Sequence, residues 1–111
     1  AEHDDVVLAC WETEGQVLFA KIDSKTGKTG KPVSAPRPRK RKHPVVTQNS
    51  KGETLFAWTE GMGWNRGGSM AWQLFDKQGR SQGPMRQKKG IPVWSVLSAV
   101  TLKDGDFLLV W

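Results

Sequence analysis

The chain has 111 residues, of which 37% are hydrophobic and 25% charged, and its formal net charge is +6. This length fits one ordinary domain, and no apolar run approaches the roughly 20 residues that a membrane span needs. Cys10 is the single cysteine, which excludes an intrachain disulfide and a cysteine-rich zinc site. Because the sequence opens on Ala1 rather than Met, we expect an exported protein, periplasmic or extracellular, that has been processed or is a fragment.

Along the chain, short apolar segments alternate with turn-forming residues, a pattern that favours strands over helices. Strands are predicted near residues 6–12, 16–23, 30–35, 44–49, 55–60, 69–76, 82–87, 92–101 and 106–111. The segments 49–52 and 103–106 are predicted hairpin turns, because each contains a Gly that can adopt positive φ. Asp23 and Asp76 recur at the ends of equivalent strands, where turn capping is expected rather than acid–base chemistry.

A repeat of about 50 residues organises these strands. Trp11, Trp58 and Trp111 occupy equivalent positions, where we expect them to pack between neighbouring units. Such a period is typical of blade and solenoid architectures. We therefore predict an all-β fold of four-stranded antiparallel blade repeats, about two blades of a β-propeller, incomplete at both ends.

The repeat also predicts the division of the chain. Residues 1–36 form a partial blade with strands B to D, and 37–42 form a basic, proline-containing linker. Residues 43–90 form a complete blade, and 91–111 form a partial blade with strands A and B.

Three pieces of the sequence together carry a resemblance to a known family. His43-Pro44 followed by the segment 55–76 (LFAWTEGMGWNRGGSMAWQLFD), and then the segment 90–95 (GIPVWS), resemble the last blades of bacterial sialidase-like (BNR-type) β-propeller proteins. The resemblance implies an exported propeller protein of unassigned function, with upstream blades absent from this chain.

The sequence departs from the sialidase pattern at functional positions. The Asp-box, Ser-x-Asp-x-Gly-x-x-Trp, is blurred in the segment 101–107, and the Tyr that sialidases use as a nucleophile has no counterpart, since the chain contains no Tyr. We therefore assign no catalytic residue, no metal site and no cofactor. An enzymatic role would require catalytic residues that lie elsewhere.

The segment 61–68 is the first candidate contact surface, because it has no counterpart in the first repeat. Trp64, Asn65 and Arg66 in this loop are predicted to contact a glycan or a protein partner, or Trp64 folds back onto its own sheet. Glu60 precedes the loop and is predicted to form a polar pair with Arg66.

The second candidate is a basic run of five cations, Arg37, Arg39, Lys40, Arg41 and Lys42, which carries most of the net charge. Pro36, Pro38 and Pro44 favour an extended, solvated linker, and docking to a polyanion or an acidic partner is the functional alternative. Nucleic acid is not expected, because no reading helix or aromatic platform accompanies the run.

These observations predict a non-catalytic binding or assembly module, whose sheet edges are completed by other blades or by a partner chain, including copies of itself. Two alternatives stay open at this point. One is a fragment of a glycan-processing enzyme, and the other is a polyanion-binding module acting through the basic linker.

Overall fold

The computed structural model describes residues 6–36, 41–61, 67–92 and 96–111. Every regular element within these ranges is a β-strand. Numbered in chain order, β1 to β9 are Val6–Thr13, Gln16–Asp23, Val33–Ser34, Arg41–Gln48, Thr54–Glu60, Gly68–Phe75, Arg86–Ile91, Ser98–Thr101 and Phe107–Val110. The predicted all-β fold class is confirmed.

The strands form three antiparallel sheets, and each sheet follows chain order. Sheet 1 contains β1-β2-β3, sheet 2 contains β4-β5-β6-β7, and sheet 3 contains β8-β9. Sheets of three, four and two strands are compatible with the blade-like units that the repeat predicts, and sheet 2 has all four strands. β1 and β9 each pair with a single strand within the described ranges, so each has one edge without a neighbouring strand there.

Several strand boundaries differ from the predicted ones; β3, for example, covers only Val33–Ser34 of the predicted 30–35. β4 begins at Arg41, so Arg41 and Lys42 belong to a strand and not to the predicted linker 37–42. The strand passes through Pro44 because a register shift between Lys42 and Val45 forms a bulge, where a residue without an N–H group is tolerated. The fourth strand of sheet 2 lies at Arg86–Ile91, a few residues later than the predicted 82–87.

The turns form as predicted. The amide of Gly52 donates to the carbonyl of Asn49 at 3.1 Å, and the amide of Gly105 donates to the carbonyl of Leu102 at 2.9 Å. Both glycines have positive φ, 85° and 93°. Asp23 and Asp76 accept backbone N–H groups of their own turns, which confirms their capping role.

Sheet 2 is the middle layer, because its two faces pack against different sheets. Alternate side chains of β5 point to opposite faces, and all seven residues of Thr54–Glu60 are buried. On the first face, Phe56 and Trp58 pack against Val17 and Phe19 of sheet 1. The rings of Phe19 and Phe56 lie 4.8 Å apart between centroids.

The second face of sheet 2 packs against sheet 3 through a smaller cluster. Ala57 and Met70 of sheet 2 are buried there together with Ile91 and Leu97, and the partly buried Leu109 of β9 packs onto them. The chain therefore forms three layers, and its apolar core is divided between two interfaces.

The repeated tryptophans do not share one environment. Trp58 is fully buried between sheets 1 and 2, as predicted, but Trp11 is 37% exposed and Trp111 is 46% exposed. Trp11 lies on the face of sheet 1 turned away from sheet 2, where no further layer of the described chain covers it. Trp111 follows the end of β9, and Nζ of Lys88 in β7 lies 5.8 Å from the centroid of its ring. Within the described residues, no helix is long and apolar enough to cross a membrane.

Candidate functional site

A buried ion pair lies at one end of the interface between sheets 1 and 2. Antiparallel pairing of β4 and β5 sets Arg41 directly opposite Glu60. The Nε of Arg41 donates to Oε2 of Glu60 at 2.9 Å, and both side chains are almost completely removed from solvent. The strand period of two also brings Trp58 to the same face as Glu60, and its Nε1 donates to Oε2 at 2.8 Å.

Each remaining polar group of this pair also has a partner. Gln87 of β7 donates to Oε1 of Glu60 at 3.0 Å. Nη1 of Arg41 donates to Oε1 of Gln16 at 3.0 Å, and Nη2 donates to the carbonyl of Pro36. The guanidinium also lies 5.4 Å from the centroid of the Trp58 ring, within the range of a cation–π contact.

This network joins sheets 1 and 2 and gives no sign of binding a ligand. A buried charge is tolerated only when it is paired and its hydrogen bonds are satisfied, and both conditions hold here. Within the described residues, no buried side-chain nitrogen or oxygen lacks a hydrogen-bond partner. We conclude that the Arg41–Glu60 pair is a structural clasp between the two sheets.

The structure therefore changes the interpretation of three predicted site residues. Glu60 is buried and engaged by Arg41, whereas Arg66, its predicted partner, lies outside the described residues. Arg41 is inside the protein and not available to a polyanion. Lys42 is half-buried in β4, and its carbonyl accepts the hydroxyl of Thr59 at 3.0 Å.

The other predicted contact residues fall outside the described ranges. They are Trp64, Asn65 and Arg66 of the loop, and Arg37, Arg39 and Lys40 of the basic run. Their predicted roles stay predictions.

An apolar groove lies between sheets 2 and 3. Its volume is about 530 Å³. Met70, Trp72 and Leu74, which lie on one face of β6, line it together with Phe107 and Leu109 of β9. The free edge of β9 therefore lies beside the groove.

On the other face of sheet 2, a strand of sheet 1 covers the surface that corresponds to this groove. On the sheet 1 side, β2 lies over sheet 2, and the rings of Phe19 and Phe75 meet at 5.3 Å between centroids. β2 is the strand that follows β1, and sheet 3 has no described strand in the equivalent place after β9. The groove occupies the space that such a strand would fill.

The outer faces of the three-layer stack are also apolar. On sheet 3, Val100, Leu108 and Val110 are each nearly half exposed. On sheet 1, the register places Trp11 opposite Leu18 and Val7 opposite Ile22, on the face turned away from sheet 2. An antiparallel sheet with one solvated face usually carries polar residues there, so these faces are suited to contact with another apolar surface.

Sequence reasoning missed the clasp and the groove for different reasons. The clasp follows from the hairpin turn at 49–53, which pairs the start of β4 with the end of β5, but the bulge shifts the register by an amount the sequence does not show. The groove depends on which face of β6 lacks a covering strand, a property of the packing of the sheets.

Cys10 and the titratable residues show no reactive arrangement. Cys10 is half-buried, its Sγ lies 3.4 Å from the carbonyl oxygen of Pro44, and burial raises the pKa of the thiol. Among the described residues, no group of three or more His, Cys, Asp and Glu side chains is placed to hold a metal ion.

Comparisons with known protein families, with curated proteins and with solved structures give no match for this chain.

Proposed function

We propose that this chain is a non-catalytic assembly module made of propeller-like blades, in which sheet 3 receives a further β-strand along the free edge of β9. The observation that carries the proposal is the apolar groove beside that edge. A strand added there forms backbone hydrogen bonds with β9, and every second side chain enters the groove.

The lining of the groove determines the direction of the added strand and the polarity of its side chains. It is extended and antiparallel to β9, and its groove-facing positions are apolar, because Trp72, Leu74 and Phe107 line the groove. Glu53, Gln82 and Asp106 line the groove at the end where the turns lie, and they offer polar groups to one end of the added strand. The source is another blade, in the same polypeptide or in a partner chain.

The chain itself contains a strand of the required type. β6 pairs with β5 within sheet 2 as the added strand would pair with β9 in sheet 3. A fluorescein-labelled peptide of residues 68–76 is therefore the probe, and binding to the full chain is followed by fluorescence polarisation. We expect saturable binding of one peptide per chain.

Two variants locate the binding. Leu74→Asp places a charge in the groove and should weaken peptide binding at least about tenfold, because an unpaired buried charge is costly. Val100→Asp makes the same kind of change on the outer face of sheet 3 and should leave binding within about twofold. A peptide with Ala71→Pro lacks one backbone N–H group and should bind more weakly.

The proposal is wrong if the peptide does not saturate, or if Leu74→Asp and Val100→Asp behave alike. Size-exclusion chromatography with light scattering adds the oligomeric mass of the full chain. A mass that rises with concentration in the parent chain, and falls towards one copy in Leu74→Asp, would identify a second copy as the source of the strand.

A further inference from the structure

Four turns lie at the ends of their sheets opposite the Arg41–Glu60 clasp. They are the segments 24–27, 49–53, 76–80 and 102–106. Each contains one lysine, and these lysines (Lys25, Lys51, Lys77 and Lys103) recur at an interval of 26 residues. The spacing arises because every second connection in an antiparallel meander returns to the same end of its sheet.

Two of these lysines line a cavity between sheets 1 and 2. The cavity has a volume of about 380 Å³, and its lysines are Lys21 from β2, Lys51 from the β4–β5 turn and Lys77 from the β6–β7 turn. The rest of its lining is uncharged: Val6, Gln48, Ser50 and Gly52. No carboxylate of the described residues lines it.

A second cavity extends the same basic surface. Its volume is about 220 Å³, and it shares Lys21 and Lys77 with the first and adds Lys31. Its lining also contains no Asp or Glu. Four lysines therefore line two neighbouring concave surfaces, and no Asp or Glu of the described chain is among the lining residues.

Three carboxylates at these turns accept hydrogen bonds within or between the turns. Asp23 and Asp76 cap their own turns through backbone N–H groups. Glu53 accepts the side-chain amides of Asn49 and Gln82, and these hydrogen bonds, with a smaller contribution from the charge of Lys51, hold the pKa of Glu53 below its usual value. Within the described residues, neither Lys21 nor Lys51 forms an ion pair with a carboxylate.

The turns that carry these lysines are held against one another. A Cβ at Gly52 would lie 2.9 Å from the Cβ of Lys77, so the β4–β5 and β6–β7 turns approach as closely as a glycine permits. Gln82 spans the same two turns by donating to Glu53 at 3.2 Å. Asn49 joins a third turn by donating to the carbonyl of Gly105 at 2.7 Å. The backbone positions of the lysines are therefore fixed before any ligand arrives.

We propose that the cavity lined by Lys21, Lys51 and Lys77 binds a phosphate or sulfate group. Like charges held close together in a concave surface raise the local positive potential, and an oxyanion both lowers that repulsion and accepts hydrogen bonds from the ammonium groups. The cavity shares no lining residue with the groove at β9.

Phosphate and sulfate groups reach such a site in two forms, as a small soluble anion or as part of a polymer. Inorganic pyrophosphate and a heparin oligosaccharide are the two probes. Binding of each to the full chain is measured by isothermal titration calorimetry at two salt concentrations, because contacts between exposed charges weaken as salt rises.

Three lysine substitutions test the site. Lys21→Gln, Lys51→Gln and Lys77→Gln should each weaken pyrophosphate binding by about 3- to 5-fold, the size expected for one partly solvated charge contact. Lys89→Gln is the matched control, because Lys89 is exposed on β7 and lines neither cavity. It removes the same charge and should change binding by less than about twofold.

The outcomes separate the alternatives. Pyrophosphate binding that depends on the three lysines supports a small-anion site, and heparin binding alone with the same dependence supports a polymer ligand. Equal losses in Lys89→Gln and the cavity variants, or no binding of either probe at low salt, would overturn the proposal. Leu74→Asp should leave both titrations unchanged, so a failure of the assembly proposal does not affect this test.

Discussion

The Arg41–Glu60 clasp provides the sharpest test of how sheets 1 and 2 are held together. Arg41→Ala removes every hydrogen bond of the guanidinium at once. Among the described residues, the buried Glu60 carboxylate then keeps only Trp58 and Gln87 as donors, and the carbonyl of Pro36 and the side chain of Gln16 lose a donor.

The expected loss follows from these changes. Removing one partner of a buried ion pair costs about 3 to 5 kcal/mol, because the remaining charge is left uncompensated. A domain of this size has a free energy of unfolding of about 5 to 15 kcal/mol, so the variant should still fold but with a large fraction of its stability lost. Arg41→Lys keeps the charge but not the planar fork of donors, and about 1 to 3 kcal/mol is expected.

The measurement is urea unfolding followed by tryptophan fluorescence, since Trp58 lies inside the clasp. The double variant Arg41→Met/Glu60→Met removes both charges together, and it should cost several kcal/mol less than the sum of the two single changes. Lys89→Ala, an exposed change, should stay within about 0.5 kcal/mol of the parent chain. An Arg41→Ala loss below about 1 kcal/mol, or strict additivity in the double variant, would refute the reasoning.

Three further predictions concern single residues. Gly52→Ala should lower the free energy of unfolding by about 2 to 4 kcal/mol in the same urea assay, because φ is 85° and the new Cβ would lie 2.9 Å from the Cβ of Lys77. The control Gly27→Ala, with φ 73° and open space around it, should cost only about 1 to 2 kcal/mol. Cys10 should react with a thiol reagent at pH 8 about tenfold more slowly in the folded chain than in urea, because burial raises its pKa and limits access; equal rates would contradict this. Hydrogen bonds from the backbone amides of its turn hold the pKa of Asp76 low, so the folded state gains stability above about pH 4 and loses it as the pH falls through the folded pKa. Asp76→Asn should therefore flatten the acid side of a stability–pH curve, and an unchanged curve would contradict the assignment.

Local patterns in the sequence predicted the strands and their turns. The alternation around Phe56 and Trp58, and the glycines at 52 and 105, are short-range signals, and they state which residues pair across a hairpin. The burial of Trp58 followed for the same reason, because a strand with apolar residues on both faces must lie between two layers.

The environments of Trp11 and Trp111 could not be predicted in this way. Repeat position gives equivalent places within each sheet, but burial depends on whether another layer covers that sheet. The clasp shows the same limit, because Arg41 was one of five cations in a run whose composition favours a solvated linker. The burial of Arg41 results from the backbone register, which pairs it with Glu60 and lets its guanidinium donate to the carbonyl of Pro36.

The complete burial of β5 has a consequence for how the gene can change. One row of its side chains, which includes the large rings of Phe56 and Trp58, fits sheet 1, and the other, which includes Leu55 and Ala57, faces the opposite side. Insertion or deletion of a single codon within this strand would exchange the two rows, placing an indole where a methyl group now fits. We therefore expect insertions and deletions to be tolerated in the connecting loops, whereas within these seven positions they should prevent folding. Paired substitutions that preserve the volume of each row should be tolerated.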